Sequence, residues 1–298
     1  MDNMDGVLLM AYGTPRSIGG IERYYTDIMG GTKPSGEQLD KLVGRYKAIG
    51  GASPLYDITE EQARRLQRLL DPEKSRIKVY FGMKHAAPFI KDTVSRMPEE
   101  KIGRLVCIAL APHYSITGIG SYISKVRDAN AALGNAIEIK CVESWHLNKW
   151  LIKFWSESIN KARAGMEKAF VVFSAHSLPE AVEEKGPYKK QLLETAAEVA
   201  KKAHIDDWAL AFQSQSGRGE KWYGPTIMEL IKSNAESKRE FVIAPIGFVS
   251  DNLEILYDLD IMCVEWASEN GLWIKRAEMP NASTDLINAI GDVVKNNI

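Results

Sequence analysis

Two short apolar runs, residues 6–12 and 169–174, each lead into a polar turn closed by proline. The turns are Met10-Ala11-Tyr12-Gly13-Thr14-Pro15 and Ser174-Ala175-His176-Ser177-Leu178-Pro179. Continuous apolar runs of this length read as strands buried on both faces, the pattern of a parallel sheet covered by helices. The figure recurs at residues 77–83, 104–110 and 137–142 after the first run, and at 208–213, 240–244 and 272–277 after the second. Helical patterns lie between them: 39–49, a helix through Leu70 opened by Thr59-x-x-Gln62 as a capping box, 121–133, 147–164, 188–203, one begun by Pro225, 251–269, and a last one capped near Ser283. Strand–helix alternation of this kind implies right-handed crossovers and a doubly wound parallel sheet.

The expected fold is therefore α/β, with two similar Rossmann-like lobes, each a four-stranded parallel sheet flanked by helices, and a cleft between them. Residues 1–145 form the first lobe and 146–298 the second, with the terminal helix placed to pack back on the first. The matched tips, and the parallel between Ala111-Pro112-His113 and Ala244-Pro245-Ile246, suggest an old duplication in which Tyr12 and His176 occupy equivalent lips. A chain of 298 residues is long enough for two cores. Its 38 basic and 39 acidic residues are interspersed, which argues against a nucleic-acid footprint. No apolar run is long enough to span a bilayer, and the acidic N-terminus lacks the form of a signal peptide. Cys107, Cys141 and Cys263 show no Cys-x-x-Cys spacing and read as core residues of a cytoplasmic protein.

Chemistry concentrates at two places. A histidine at the carboxyl end of a parallel strand is held rigidly yet meets ligand at the mouth of the crevice, so His176 is the first candidate. Glu254 and Asp258 are four apart, on one face of a helix, and Asp251 extends the row. Stacked carboxylates repel unless water, a proton or a cation separates them; a solvated acidic face is the plainer alternative. Histidine with one or two carboxylates and no thiolate suits weak, exchangeable binding of a cation such as Fe²⁺ in transit. There is no Gly-x-Gly-x-x-Gly, no Walker lysine loop and no Gly-x-Ser-x-Gly elbow. His85 and His113 lie at strand ends and could line the cleft. The tryptophans read as core, except Trp222 in a Gly-rich loop.

The ordered motifs resemble the ferrochelatases. They run from Leu8-Leu9-Met10-Ala11-Tyr12-Gly13-Thr14-Pro15 through Arg45-Tyr46-x-x-Ile49-Gly50-Gly51-x-Ser53-Pro54-Leu55, Gly82-Met83-Lys84-His85 and Ala111-Pro112-His113-Tyr114-Ser115. They continue in Ser174 to Pro179, in Trp222-x-Gly224-Pro225, and in Pro245-Ile246-Gly247-Phe248-Val249-Ser250-Asp251-Asn252-Leu253-Glu254-Ile255-Leu256-Tyr257-Asp258. The resemblance implies insertion of Fe²⁺ into a porphyrin, coproporphyrin III or protoporphyrin IX, with release of two protons. It implies His176 and Glu254 as the iron-binding and proton-abstracting pair, and Tyr12, Arg45, Tyr46, Ser53 and Tyr122 as porphyrin contacts. Asp258 follows as an outer metal relay. It also implies iron as substrate, no tightly bound cofactor and no iron–sulfur cluster; a monomer is the expectation for the chain.

Two departures from the family pattern bear on the site. Met29-Gly30-Gly31-Thr32-Lys33 stands where similar proteins are arginine-rich, which leaves Lys33 and Arg45 as propionate partners; lysine does not make the bidentate pair of a guanidinium. The acidic row stops at Asp258, with Met262 one turn on. A cobalt chelatase of corrinoid synthesis and a non-catalytic haem or porphyrin carrier are the alternative readings.

Overall fold

The first sheet is built from β1 (Met4–Ala11), β2 (Ile77–Met83), β3 (Ile102–Ala109) and β4 (Glu138–Val142), all parallel, in the order β2-β1-β3-β4. Helices α1 (Ile21–Ile28), α2 (Gly36–Ala48) and α3 (Leu55–Leu70) join β1 to β2, α4 (Ile90–Ser95) joins β2 to β3, and α5 (Ser121–Ala131) joins β3 to β4. A computed structural model supplies this description for residues 4–166, 168–215 and 221–298. The extreme N-terminus and the Ser216-Gly217 end of the turn after the sixth strand lie outside the described residues.

The second half repeats the plan. Helix α6 (Lys149–Ala162) leads into β5 (Phe170–His176), followed by the single turn α7 (Glu180–Glu183), α8 (Tyr188–Ala203), β6 (Trp208–Gln213), α9 (Ile227–Asn234) and β7 (Glu240–Ala244). A π-helix, Ile255–Cys263, runs directly into α10 (Val264–Glu269), then β8 (Trp273–Arg276) and α11 (Thr284–Lys295). The sheet order is β6-β5-β7-β8, the same permutation as in the first half, and again every pair is parallel.

Alternation along β1 divides its side chains between two cores. Leu8 and Met10, with Leu105, Cys107 and Ala109 of β3, pack beneath α4 and α5. Val7 and Leu9, with Val106 and Ile108, face the other way and join a larger core that passes through Leu66 of α3, Trp145 and Trp155 into the second sheet. The lobes thus share one continuous apolar core. Helix α11 packs against both α6 and α3; a β-carbon on Gly291 would stand 2.8 Å from Leu69.

Three local expectations are corrected. Helix α3 begins at Leu55, with Pro54 rather than Thr59 as its cap. Thr59 Oγ1 donates to the Leu55 carbonyl at 2.7 Å inside the helix, and Gln62 is buried with its amide donating to Ser250 Oγ (2.9 Å) and the Asn281 carbonyl (2.7 Å). A capping box is a local pattern; here the Thr59 hydroxyl bonds back along its own helix and tertiary partners claim Gln62. Helix α9 opens two residues after Pro225: Thr226 accepts from Glu229 N, and the Glu229 carboxylate accepts from Thr226 N. Finally, Cys141 is partly exposed rather than core, because β4 is an edge strand.

Candidate active site

The tips of β1 and β5 come near one another: the Glu254 carboxylate beside His176 acts on the Tyr12 phenol. After β1 the chain turns at Gly13, whose φ of +100° and 3.0 Å approach of its β-carbon position to Ala86 N admit only glycine. After β7 it turns at Gly247, where a β-carbon would lie 2.8 Å from Ala175 Cα and the N–H donates to the Ser174 carbonyl at 3.1 Å. That contact seats the β7 turn against the end of β5, one residue from His176. Asn252 then accepts from the Glu254 N–H (2.9 Å) and the Ile255 N–H (3.1 Å), satisfying two of the donors left free where a helix starts. Glu254 is held at the helix entrance as a result.

His176 is the last residue of β5. Its Nδ1–H donates to the Ser177 carbonyl, which turns Nε2 toward Glu254 Oε1, 3.4 Å away. Both side chains are about one-third exposed, 35% and 30%. Burial alone would push the imidazole down, but the Glu254 carboxylate, the Ser177 carbonyl and the more distant Asp258 outweigh it and hold His176 at about 9. For Glu254, burial pushes up and is overcome by His176, Arg45 and Ser214, so the carboxyl sits below its ordinary value. The pair therefore retains one proton between an imidazole and a carboxylate that face open space.

Asp258 and Asp251 do not continue this site as a simple row. The backbone here is π-helical, with i→i+5 bonding. Asp258 accepts from Arg45 (2.6 Å) on α2 of the other lobe and from Ser214 Oγ (2.7 Å) after β6. Asp251 turns away to Asn281 (2.7 Å) and Arg276 (3.2 Å). Among the described residues no group of three His, Cys, Asp or Glu side chains could hold a metal ion. A cation at His176 and Glu254 would keep most of its coordination sphere for other donors, as a transit site requires.

The expected contacts of the first lobe divide. Tyr12 is 43% exposed, and its ring centroid lies 4.7 Å from that of His85, whose Nδ1 is 2.6 Å from Asp27 Oδ1. Burial and then the Glu254 charge raise the Tyr12 phenol, so it stays a neutral donor facing the same space. Tyr46, Ser53 and Tyr122 are nearly buried. The Tyr46 hydroxyl lies 3.0 Å from Thr14 Oγ1, and Ser53 Oγ accepts from Leu55 N at 3.3 Å. Arg45, engaged with Asp258, also stacks over Tyr257 at 5.0 Å. His113 belongs elsewhere: it is buried, 2.9 Å from Thr195, and burial pushes it down to about 3. Trp222 lies beside the turn after His176, bridged to Pro179, while Ser177 Oγ donates to the neighbouring Tyr223 carbonyl at 2.7 Å.

Four participants were not singled out from sequence. Lys84 at the tip of β2 stands 5.8 Å from the Tyr12 ring and 5.7 Å from the Tyr122 ring. Burial and then Lys125 lower it, and neither lysine has a carboxylate partner among the described residues. The Gly-Met-Lys-His strand end was the available signal. Ser214 and Asp27 act through partners far away in the chain and left none. Glu183 of α7 is fully buried and accepts from Ile116 N (3.0 Å), Thr117 N (2.9 Å) and Thr117 Oγ1 (2.8 Å) in the other lobe.

Comparison with known proteins places this geometry in context. A family model described as Ferrochelatase matches residues 4–298. Similar curated proteins include the coproporphyrin III ferrochelatase of Anoxybacillus flavithermus, 42% identical over 98% of this chain and 96% of the relative. That of Geobacillus sp. is 43% identical over 97% and 96%. Among solved structures, SirB from Bacillus subtilis with Fe³⁺ aligns with a TM-score of 0.63 at 10% identity, covering 98% of this chain and 95% of its own. CbiX, described as the terminal enzyme for biosynthesis of sirohaem in denitrifying bacteria, aligns at 0.58 and 11%, covering 98% and 99%. At such identities the likeness is one of fold.

Proposed function

The chain belongs to the ferrochelatase family and inserts ferrous iron into a porphyrin in haem biosynthesis, and from that premise we propose that its porphyrin is coproporphyrin III and that His176 and Glu254 perform the exchange. The substrate reading is supported by the names of relatives that match nearly the whole chain. It agrees with Lys84, a cation without an acidic partner among the described residues that stands beside the Tyr12 and Tyr122 rings with the charge of Lys125 near it, which suits the carboxylates of a polyacidic macrocycle.

The observation that carries the mechanism is the facing of His176 Nε2 and Glu254 Oε1 across 3.4 Å. Metal insertion must remove two N–H protons from the macrocycle and strip water from the cation. With Nδ1–H committed to Ser177, only Nε2 exchanges a proton or meets a cation. Glu254, kept ionised, attracts Fe²⁺ and receives a proton from its neighbour for transfer to solvent. Tyr12, on the opposite lip and held by His85, presents an uncharged ring and hydroxyl to the other face of the macrocycle. A cleft that fits a bent macrocycle better than a flat one exposes the pyrrole lone pairs and lowers the barrier.

The expected test result for His176→Ala is loss of iron insertion with porphyrin binding, read by fluorescence quenching, largely intact. Normal turnover would remove His176 from the mechanism. The substrate is tested by kcat/KM for coproporphyrin III against protoporphyrin IX, and equal or inverted values would overturn that part.

The protein is proposed to work in the cytoplasm, as a monomer and without a resident cofactor. Three cysteines, of which Cys263 is remote from the other two, do not supply the ligands of a four-cysteine cluster. Among the described residues no helix is long and apolar enough to cross a membrane.

A further inference from the structure

The cysteines take no part in the cleft, yet two of them stand side by side. Cys107 on β3 is the in-register neighbour of Cys141 on β4. Both side chains lie on the sheet face that packs under α4 and α5, in line with Leu105 and Ala109 on one strand and Ile139 on the other. The in-register pairing sets the two thiols close enough to act on each other's titration, and their surroundings differ. Cys107 is fully buried, and burial pushes its thiol well above the ordinary range. Cys141 is partly exposed; the neighbouring Cys107 thiol, assisted by Arg127 against burial and Glu143, brings its thiol below that range. One is thus an accessible nucleophile and the other a sheltered thiol in reach of it.

We propose that Cys107 and Cys141 are a modification site, closing to a reversible disulfide when Cys141 meets a hydroperoxide. The Cys141 thiolate attacks a peroxide oxygen. An S–O bond forms as the O–O bond breaks, the sulfur is oxidised by two electrons, and the departing alkoxide or hydroxide takes a proton to leave as alcohol or water. The sulfur of Cys107 then attacks the sulfenic acid, the S–S bond forms, the S–O bond breaks, and the hydroxyl leaves as water with the Cys107 proton. In sum, two thiols and one hydroperoxide give one disulfide, one alcohol or water, and one further water.

Neighbouring strands run about 4.8 Å apart, which is within the span of Cα atoms joined by a disulfide but wide for its β-carbons. Closure therefore draws β4 toward β3. An edge strand bonded on one side alone can make that movement, and the residual strain makes the bond easy to reduce. Cys263 serves as an internal control: it is buried away from the pair, and burial pushes it up to about 12.

The test treats the reduced full chain with hydrogen peroxide, then counts free thiols after denaturation and maps linked peptides. One free thiol, on Cys263, is expected in place of three, with the Cys107 and Cys141 peptides joined and all three recovered on adding dithiothreitol. In Cys107→Ser the sulfenic acid on Cys141 is expected to persist and be trapped by dimedone. In Cys141→Ser, Cys107 is expected to stay reduced. Three free thiols after peroxide, a bridge involving Cys263, or irreversible oxidation of Cys141 beside a free Cys107 would each overturn the proposal.

Discussion

His176 sits between two opposed pressures on its proton, and the balance defines what the site does at each pH. Because the folded value, about 9, is raised, its contribution to stability is complete below the unfolded value of about 6.5 and is lost as pH rises through the folded value. Glu254 is lowered, so its contribution is present above the ordinary carboxylate range and is lost as pH falls through its folded value. The difference in melting temperature between the natural protein and Glu254→Gln should therefore be widest between the carboxylate range and neutrality, and close on both sides. A difference independent of pH would show that the pair does not interact. In the same variant, NMR titration should find His176 below its present value, since only the Ser177 carbonyl and Asp258 would then oppose burial.

At the scale of elements, the carboxylates around the π-helix are held by different partners. Asp251 precedes the helix and is drawn to Asn281, Asp258 inside it reaches Arg45 and Ser214, and Asp260 makes a two-point pair with Arg276 on β8 (2.6 and 2.8 Å). The Arg276 pair ties the π-turns to the sheet edge and thereby steadies the helix that carries Glu254. Arg276→Met should cost on the order of 2–3 kcal/mol, the worth of charged hydrogen bonds, in urea unfolding. It should also lower kcat more than it raises KM for porphyrin. A loss confined to KM would mean that this anchor does not position Glu254. The strands show the reverse case: apolar runs bounded by turn residues located the eight strands of the described residues, because period and turn chemistry act within a few residues.

Across the whole molecule, the lobes are joined by a shared core and by polar ties between them. Gln62 is the buried link to Ser250 and Asn281. Gln62→Ala should destabilise the chain by about 2–3 kcal/mol, leaving two partners unsatisfied, while unfolding remains a single transition because the core is continuous. Two resolved transitions would show that the lobes are energetically separate. Arg45–Asp258 ties the two lobes together, and Arg45 is also an expected porphyrin contact. Asp258→Asn should release the guanidinium and tighten porphyrin binding severalfold by fluorescence titration; weakened binding would mean that Asp258 holds Arg45 in its binding position.

The order of strands and helices, the two-lobed repeat and the placing of Tyr12 and His176 at strand tips were all determined by the sequence alone, through apolar period and turn chemistry that act over a few residues. Only the tertiary structure decided which polar groups pair. Arg45 and Asp258 are 213 residues apart, Gln62 left its local cap for partners near 250 and 281, and Cys141 came to lie against Cys107. Pairing over such separations depends on how two sheets and a shared core bring surfaces together, and no local pattern encodes that.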